Sequence, residues 1–143
     1  MIDLDDFVAA QDGGAAYSTA LAELTAGRKR SHWMWFVFPQ LAGLGQSSTS
    51  RRFSVPTLAD ARALLAHAVL GERLRAATDC LLGQRVDATA IFGPLDATKL
   101  RSSMTLFHRA APDESRFRDV LDRFFDGQVD LRTDALLEAA QRA

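Results

Sequence analysis

Ser115-Arg116-Phe117-Arg118-Asp119-Val120-Leu121-Asp122-Arg123-Phe124-Phe125 settles the fold class. Its apolar residues fall at 117, 120, 121, 124 and 125, the spacing of one helix face, and charges fill most of the remaining positions. Asp113 is placed to cap this helix and Gly127 to stop it. The same period recurs on both sides. Leu100, Met104 and Phe107 mark a helix opened near Asp96, and Leu136, Leu137 and Ala140 face inward on one opened by Asp130. Leu70, Leu74, Ala77 and Leu81 form a stripe, with Glu72, Arg73, Arg75 and Asp79 turned away. Leu58, Ala61, Leu64 and Leu65 form another, behind Pro56 and a Thr57–Asp60 capping box. Tyr17, Leu21 and Leu24 lie on a helix stopped at Gly27. Leu4, Phe7 and Val8 lie on one that Asp3 caps and Gly13-Gly14 ends. Asp87 starts a short turn through Ile91-Phe92, closed by Gly93-Pro94. No Val/Ile-rich alternating segment offers a strand. The predicted fold is all-α: one domain over residues 1–143, a compact orthogonal bundle of about six to eight short helices.

Composition narrows the function. The chain has 143 residues, 48% hydrophobic and 24% charged, enough for a full core. A net charge of −1 excludes a globally basic nucleic-acid binder, though not a local basic patch. The one cysteine, Cys80, excludes an intrachain disulfide and a Cys-rich metal site, and reads as a small core residue. His67 and His108 have no metal-ligand spacing. No P-loop, dinucleotide fingerprint or zinc motif is present, so no cofactor or metal is expected. The acidic start Met1-Ile2-Asp3-Leu4-Asp5-Asp6 lacks the features of a signal peptide, and no apolar run reaches the roughly 18–20 residues of a membrane span. A cytoplasmic location without membrane contact is the expectation.

Chemistry concentrates in two segments. The first is Gly27-Arg28-Lys29-Arg30-Ser31-His32-Trp33-Met34-Trp35-Phe36-Val37-Phe38-Pro39-Gln40, running on to Gly43, Gly45 and Ser48. Both tryptophans of the chain are in it. Its continuous apolar run from Trp33 to Phe38 has no period that separates strand from helix, and helix is preferred, with Ser31 as cap. Three consecutive cations cannot all enter a core, so they require solvent or an anion. Arginine forks match phosphate oxygens, and a neighbouring tryptophan offers a stacking face. The bland alternatives are a solvated basic face and tryptophans that belong to the core. His32 is the one candidate for acid–base work, because an imidazole titrates near neutral pH.

The second segment is Phe92-Gly93-Pro94-Leu95-Asp96-Ala97-Thr98-Lys99-Leu100-Arg101-Ser102-Ser103-Met104-Thr105-Leu106-Phe107-His108. On a helix, Lys99 shares a face with Ser102 and Ser103, and one charge with two hydroxyls can hold an anion. Small hydroxyl residues at a close helix crossing are the plain alternative. Fifteen of the 17 basic residues are arginine, and the two lysines, Lys29 and Lys99, fall one in each segment.

The order of these motifs is distinctive. Phe7-Val8-x-x-Gln11 is followed by Ala22-Glu23-Leu24-x-x-Gly27-Arg28-Lys29-x-Ser31-His32-Trp33-Met34-Trp35-Phe36-x-Phe38-Pro39-Gln40-Leu41-x-Gly43-Leu44-Gly45. Leu70-Gly71-x-Arg73-Leu74, Ile91-Phe92-Gly93 and Lys99-Leu100-x-Ser102-Ser103-Met104-Thr105-Leu106-Phe107 come after. Together they resemble the bacterial domain-of-unknown-function family 1810 over nearly the whole chain. The resemblance implies a mainly helical conserved hypothetical protein and carries no activity. Some members are labelled calpastatin, which implies a protease inhibitor disordered when free; the globular composition here argues against that. The family often shows Asp-Asp before Lys-Leu. Here Asp96-Ala97-Thr98 precedes Lys99, which puts the role of an acid beside the lysine in question.

Three functions follow. The first is a site for a small phosphate-bearing ligand, nucleotide or ADP-ribose-like, with hydrolase or transferase chemistry as an extension. In it Arg28, Lys29 or Arg30 holds phosphate, Trp33 or Trp35 stacks, and His32, Lys99 and Ser102 add polar contacts. Gln40 reads an edge of a base. It requires the two segments to meet. The second is a protein-interaction or structural module, favoured by a buried Trp33 and a shallow surface at 28–32. The third, nucleic-acid binding, is disfavoured by the net charge and needs Arg28, Lys29, Arg30, Arg51 and Arg52 on one face.

Overall fold

The structure is a computed structural model that describes residues 2–142. Nine α-helical segments occur among them: α1 (Leu4–Asp12), α2 (Ala16–Ala26), α3 (Met34–Val37), α4 (Ser48–Arg52), α5 (Leu58–Ala66), α6 (Leu70–Leu82), α7 (Ala88–Ala110), α8 (Ser115–Phe125) and α9 (Leu131–Arg142). Seven have nine residues or more, and α3 and α4 are single turns. The described residues contain no strand, only an isolated bridge between Leu41 and Val55. The fold is all-α.

The stripes read from the sequence turn their residues into the core, fully or partly buried, with Ala140 the exception. Helix α7 is central: Leu100, Met104, Leu106 and Phe107 are fully buried, and it packs against α5, α8 and α9. Helix α8 buries Phe117, Val120 and Leu121 against it, and the Phe107 and Phe117 rings lie 5.8 Å apart. Helix α6 buries Leu70, Leu74, Ala77 and Leu81 between α2, α5 and α8. The caps are local chemistry. Asp3 Oδ1 accepts from the Asp6 amide, and Thr57 Oγ1 accepts from the Asp60 amide. Asp130 Oδ2 accepts from the amide and hydroxyl of Thr133. Helix α2 ends on Gly27 at φ 76°, with the Arg28 amide on the Glu23 carbonyl and the Gly27 amide on Leu24. Only glycine adopts that turn without strain.

Four expectations change. The short turn at 88–92 and the helix expected to open near Asp96 form one kinked element, α7. The break is at Gly93 (φ 79°, ψ 163°), and Pro94, which lacks an amide to satisfy, starts the second stretch. Helix α8 is capped at Glu114, not Asp113, with no side-chain bond. Ser31 caps nothing: α3 starts after Trp33, and Ser31 turns back onto Glu23. On α9, Leu136 and Leu137 are half-buried but Ala140 is exposed. No helix among the described residues is long and apolar enough to cross a membrane.

Candidate ligand-binding cleft

Residues 28–57 carry only two single turns of helix, so specific polar contacts fix their course. Glu23, on the last turn of α2, is the main one. Its Oε1 accepts from the Arg30 amide (2.7 Å), the Ser31 amide (2.9 Å) and Trp33 Nε1 (2.9 Å), and its Oε2 from Ser31 Oγ (2.6 Å). Burial alone would raise this carboxyl's pKa. The Ser31 hydroxyl, the two amides and the indole outweigh that and pull it down to about 2. Elsewhere, the Gln11 amide donates to the Phe36 carbonyl and Arg52 forks onto Asp6. Val55 pairs with Gln40 and Ala42 through its amide and carbonyl.

This wrapping carries Lys29 inward. Its amide donates to the Ile91 carbonyl and its ammonium to the Ser31 carbonyl. The same ammonium meets Asp96 Oδ2 at 2.9 Å and lies 5.2 Å from the centre of the Trp33 ring. Lys99, three residues along α7 from Asp96, meets the other oxygen, Oδ1, at 3.2 Å and lies 4.9 Å from the Trp35 ring. Both lysines of the chain thus converge on one carboxylate, each over its own tryptophan. Burial pushes the Asp96 carboxyl up, and the two ammoniums together hold it below its ordinary range. The charges do not cancel. Lys29 is 9% exposed and already neutralises Asp96; Lys99, at 27%, is the surplus cation.

Lys99 faces a cleft of about 360 Å³ between Trp35, the 40–50 segment, the second stretch of α7 and the start of α9. That volume is at the lower end of small-molecule sites, about 300–1,000 Å³. Trp35, Gln40, Lys99 and Ser102 line it together with Leu44, Gly45, Ser47, Leu95, Asp130 and Arg132. Ser102 is buried, and its hydroxyl is committed to the Thr98 carbonyl at 3.2 Å. Arg132 reaches the Leu44 carbonyl at 3.4 Å, leaving most of its donors unused. A side chain at Gly45 would run into Ser50, so this glycine is set by packing within the wall.

The sequence-derived site residues therefore divide three ways. Trp35, Gln40, Lys99 and Ser102 come together in the cleft. Lys29 and Trp33 lie behind it. Trp33 is 1% exposed, with its indole on Glu23 and its ring against Phe38 and Phe92, so it offers no stacking face. The Lys29 ammonium is spent on Asp96 and Ser31, so it does not reach a ligand in the cleft. Arg28, Arg30 and His32 are exposed, do not line the cleft, and have no side-chain partner among the described residues. His32 thus stands apart from the cleft in which an acid or base would act. Ser103 lies fully buried in the core, its hydroxyl without a partner. Among the described residues, no group of three His, Cys, Asp or Glu side chains is placed to hold a metal.

Sequence reasoning passed over Glu23, Asp130, Leu95 and Arg132. Glu23 had one visible signal, its place in the Ala22-Glu23-Leu24 motif. Asp130 and Arg132 lie far along the chain from the 40–50 segment they meet, and Leu95, inside the second segment, bears no chemical group that would single it out.

Comparison with known proteins places the chain without assigning it an activity. No curated protein matches it. The crystal structure of the conserved hypothetical protein Rv1873 from Mycobacterium tuberculosis is 46% identical, with a TM-score of 0.92, over 96% of this chain and 97% of that one. A family model described as a protein of unknown function, DUF1810, matches residues 1–137. On that match the chain belongs to the DUF1810 family.

Proposed function

We propose that the cleft binds a small phosphate-bearing ligand, with a nucleotide as its natural test case. The observation that carries this reading is the surplus charge on Lys99. Asp96 is already neutralised by Lys29, so the second ammonium is left to serve an anion entering the cleft. Arg132 supplies a second cation from the start of α9. Among the described residues Asp130 is the one acid in the lining, and its Oδ2 is taken up by Thr133. In this arrangement phosphate lies on Lys99 and Arg132, and a base lies along Trp35 and Leu44 within reach of Gln40. The chemistry assigned is binding, since Ser102 is committed to a carbonyl and His32 lies elsewhere. An ADP-ribose-like ligand would have to extend beyond so small a cleft.

The test is isothermal titration of wild type, Lys99→Met and Arg30→Ala with AMP. A charge-assisted hydrogen bond contributes about 1.5–3 kcal/mol, so Lys99→Met weakens AMP by roughly 10- to 100-fold while Arg30→Ala leaves it unchanged. Equal affinity in wild type and Lys99→Met would end the reading.

A second reading has its own observation. Arg28, Arg30 and His32 are exposed on a loop that Glu23 and Lys29 hold rigid, and the burial of Trp33 is the feature that favours an interaction module. An acidic protein surface suits that loop. Under this reading Arg28→Glu with Arg30→Glu abolishes salt-sensitive binding to poly-glutamate, and Lys99→Met does not.

A further inference from the structure

Asp130 is the one feature of the cleft that a site for a plain anion does not explain. It puts a negative charge in a wall that also carries Lys99 and Arg132. Its position is fixed from several sides. Arg101 forks from α7 onto the carbonyls of Gln128 and Val129, at 2.9 and 2.8 Å. The Asp130 amide donates to the hydroxyl of the buried Thr105 at 2.9 Å. Its Oδ2 accepts from the amide and the hydroxyl of Thr133, at 3.0 and 2.6 Å. These bonds cap α9 with one carboxylate oxygen and keep the side chain from swinging away. The other oxygen, Oδ1, has no hydrogen-bond partner among the described residues, and no cation there pairs with Asp130. A cap needs only one oxygen, so the second is left to the cleft. An ionised carboxylate can only accept hydrogen bonds.

We infer that the cleft selects ribonucleotides over nucleotides that lack sugar hydroxyls, and that Asp130 sets this preference by accepting from the ribose hydroxyls through Oδ1. The inference rests on the reading of the cleft as a phosphate site. An anion that enters alone meets the Asp130 charge as repulsion. The same charge turns favourable when the ligand brings a donor to it, and hydrogen bonds to an ionised group are the stronger kind. A phosphate monoester dianion has acceptors for Lys99 and Arg132 but no donor. Ribose supplies two adjacent donors, and in a nucleotide it lies between the phosphate and the base. Asp130 therefore serves the middle of a ligand whose ends are taken by the two cations and by Trp35. The bonds to Thr105 and Thr133 hold the acceptor in place beforehand, so little ordering is needed on binding.

Isothermal titration with AMP, 2′,3′-dideoxy-AMP and inorganic phosphate tests this. AMP is expected to bind roughly tenfold or more tighter than the dideoxy compound. Asp130→Ser keeps a hydroxyl to cap α9 but has no second oxygen for a ligand, and Asp130→Asn keeps the shape without the charge. Both narrow the gap, and they do so by moving the probes in opposite directions. AMP weakens, while inorganic phosphate tightens because a like charge has left the wall. Lys99-dependent binding with no gap between the two nucleotides in the wild type overturns the inference alone. So does a gap that survives in both variants, or a loss that falls equally on AMP and inorganic phosphate, which would make Asp130 a structural cap only. Binding of none of the probes, or binding indifferent to Lys99→Met, overturns the phosphate reading and the inference with it.

Discussion

The α5–α8 packing and the 28–57 segment are built on different principles. In the first, Leu64, Leu74, Phe107, Phe117 and Leu121 meet as faces of regular helices, and no single contact decides the arrangement. In the second, one carboxylate, Glu23, organises the 30–33 loop through four hydrogen bonds, and one ion pair, Lys29–Asp96, fastens it to α7. Apolar area spreads stability over many residues, whereas a polar knot concentrates it in a few. The cleft lies where the knot meets the packed helices, so its shape depends on both.

The contrast can be broken first from the packed side. Phe107→Ala, fully buried between α7 and α8, is expected to cost about 3–5 kcal/mol and lower the denaturation midpoint of the whole molecule. Glu23→Ala is expected to cost about 2–4 kcal/mol, because it strands the buried Trp33 indole and the loop amides. Hydrogen exchange separates the two variants: Glu23→Ala speeds amide exchange at 30–33 and leaves α8 protected, and uniform loss of protection would show that the knot is no separate unit.

The same carboxylate gives a pH signature. Its pKa falls from an ordinary 4.5 to about 2 on folding, so the folded state favours the ionised form. The stability it contributes is full above about pH 5.5 and is lost as pH falls from 4.5 through 2. Asp96, also lowered, adds a loss of the same sign below its ordinary 3.8. Wild type is therefore expected to lose stability over that window more steeply than Glu23→Ala, as followed by urea midpoints against pH. Parallel curves would contradict the role given to Glu23.

Smaller effects sharpen the division between the two lysines. Lys29→Met removes the cation that neutralises a half-buried carboxylate, and is expected to cost about 1–3 kcal/mol. Lys99→Met leaves Asp96 paired and is expected to cost less than about 1 kcal/mol, with its main effect on binding. Arg28→Ala and Arg30→Ala, exposed and without a side-chain partner among the described residues, are expected within about 0.5 kcal/mol of wild type. Equal losses for the two lysine variants would remove the distinction between an inner and a surplus cation.

How far each region was legible in the sequence follows from the same contrast. Helices α5, α6 and α8 and the second stretch of α7 announce themselves because a buried face repeats every 3.6 residues, and the Thr57 and Asp130 caps act within three residues of themselves. The 28–40 segment has no period to read. Its density of charge and tryptophan marked it as unusual and made Lys29 and Lys99 worth pairing. It did not divide Trp33 from Trp35 or Lys29 from its arginine neighbours, because that division is made by Glu23 and Asp96, one in a neighbouring helix and one more than 60 residues away. Asp96 looked like a helix opener, and its bridging role depends on the kink at Gly93. Arg132 contacts the carbonyl of Leu44 across 88 positions, which no local pattern records.

The two indole N–H groups allow the most direct test. Trp33 Nε1 is locked on Glu23 deep in the core, whereas Trp35 lies on the cleft beside Lys99. A titration of the uniformly ¹⁵N-labelled protein with AMP, followed in the indole region of the proton–nitrogen spectrum, reports on both at once. The expected result is a saturable shift of the Trp35 signal, absent in Lys99→Met, with the Trp33 signal fixed. A Trp33 signal that moves while Trp35 stays still, or two signals that never move, would contradict the assignment of the cleft as the ligand site.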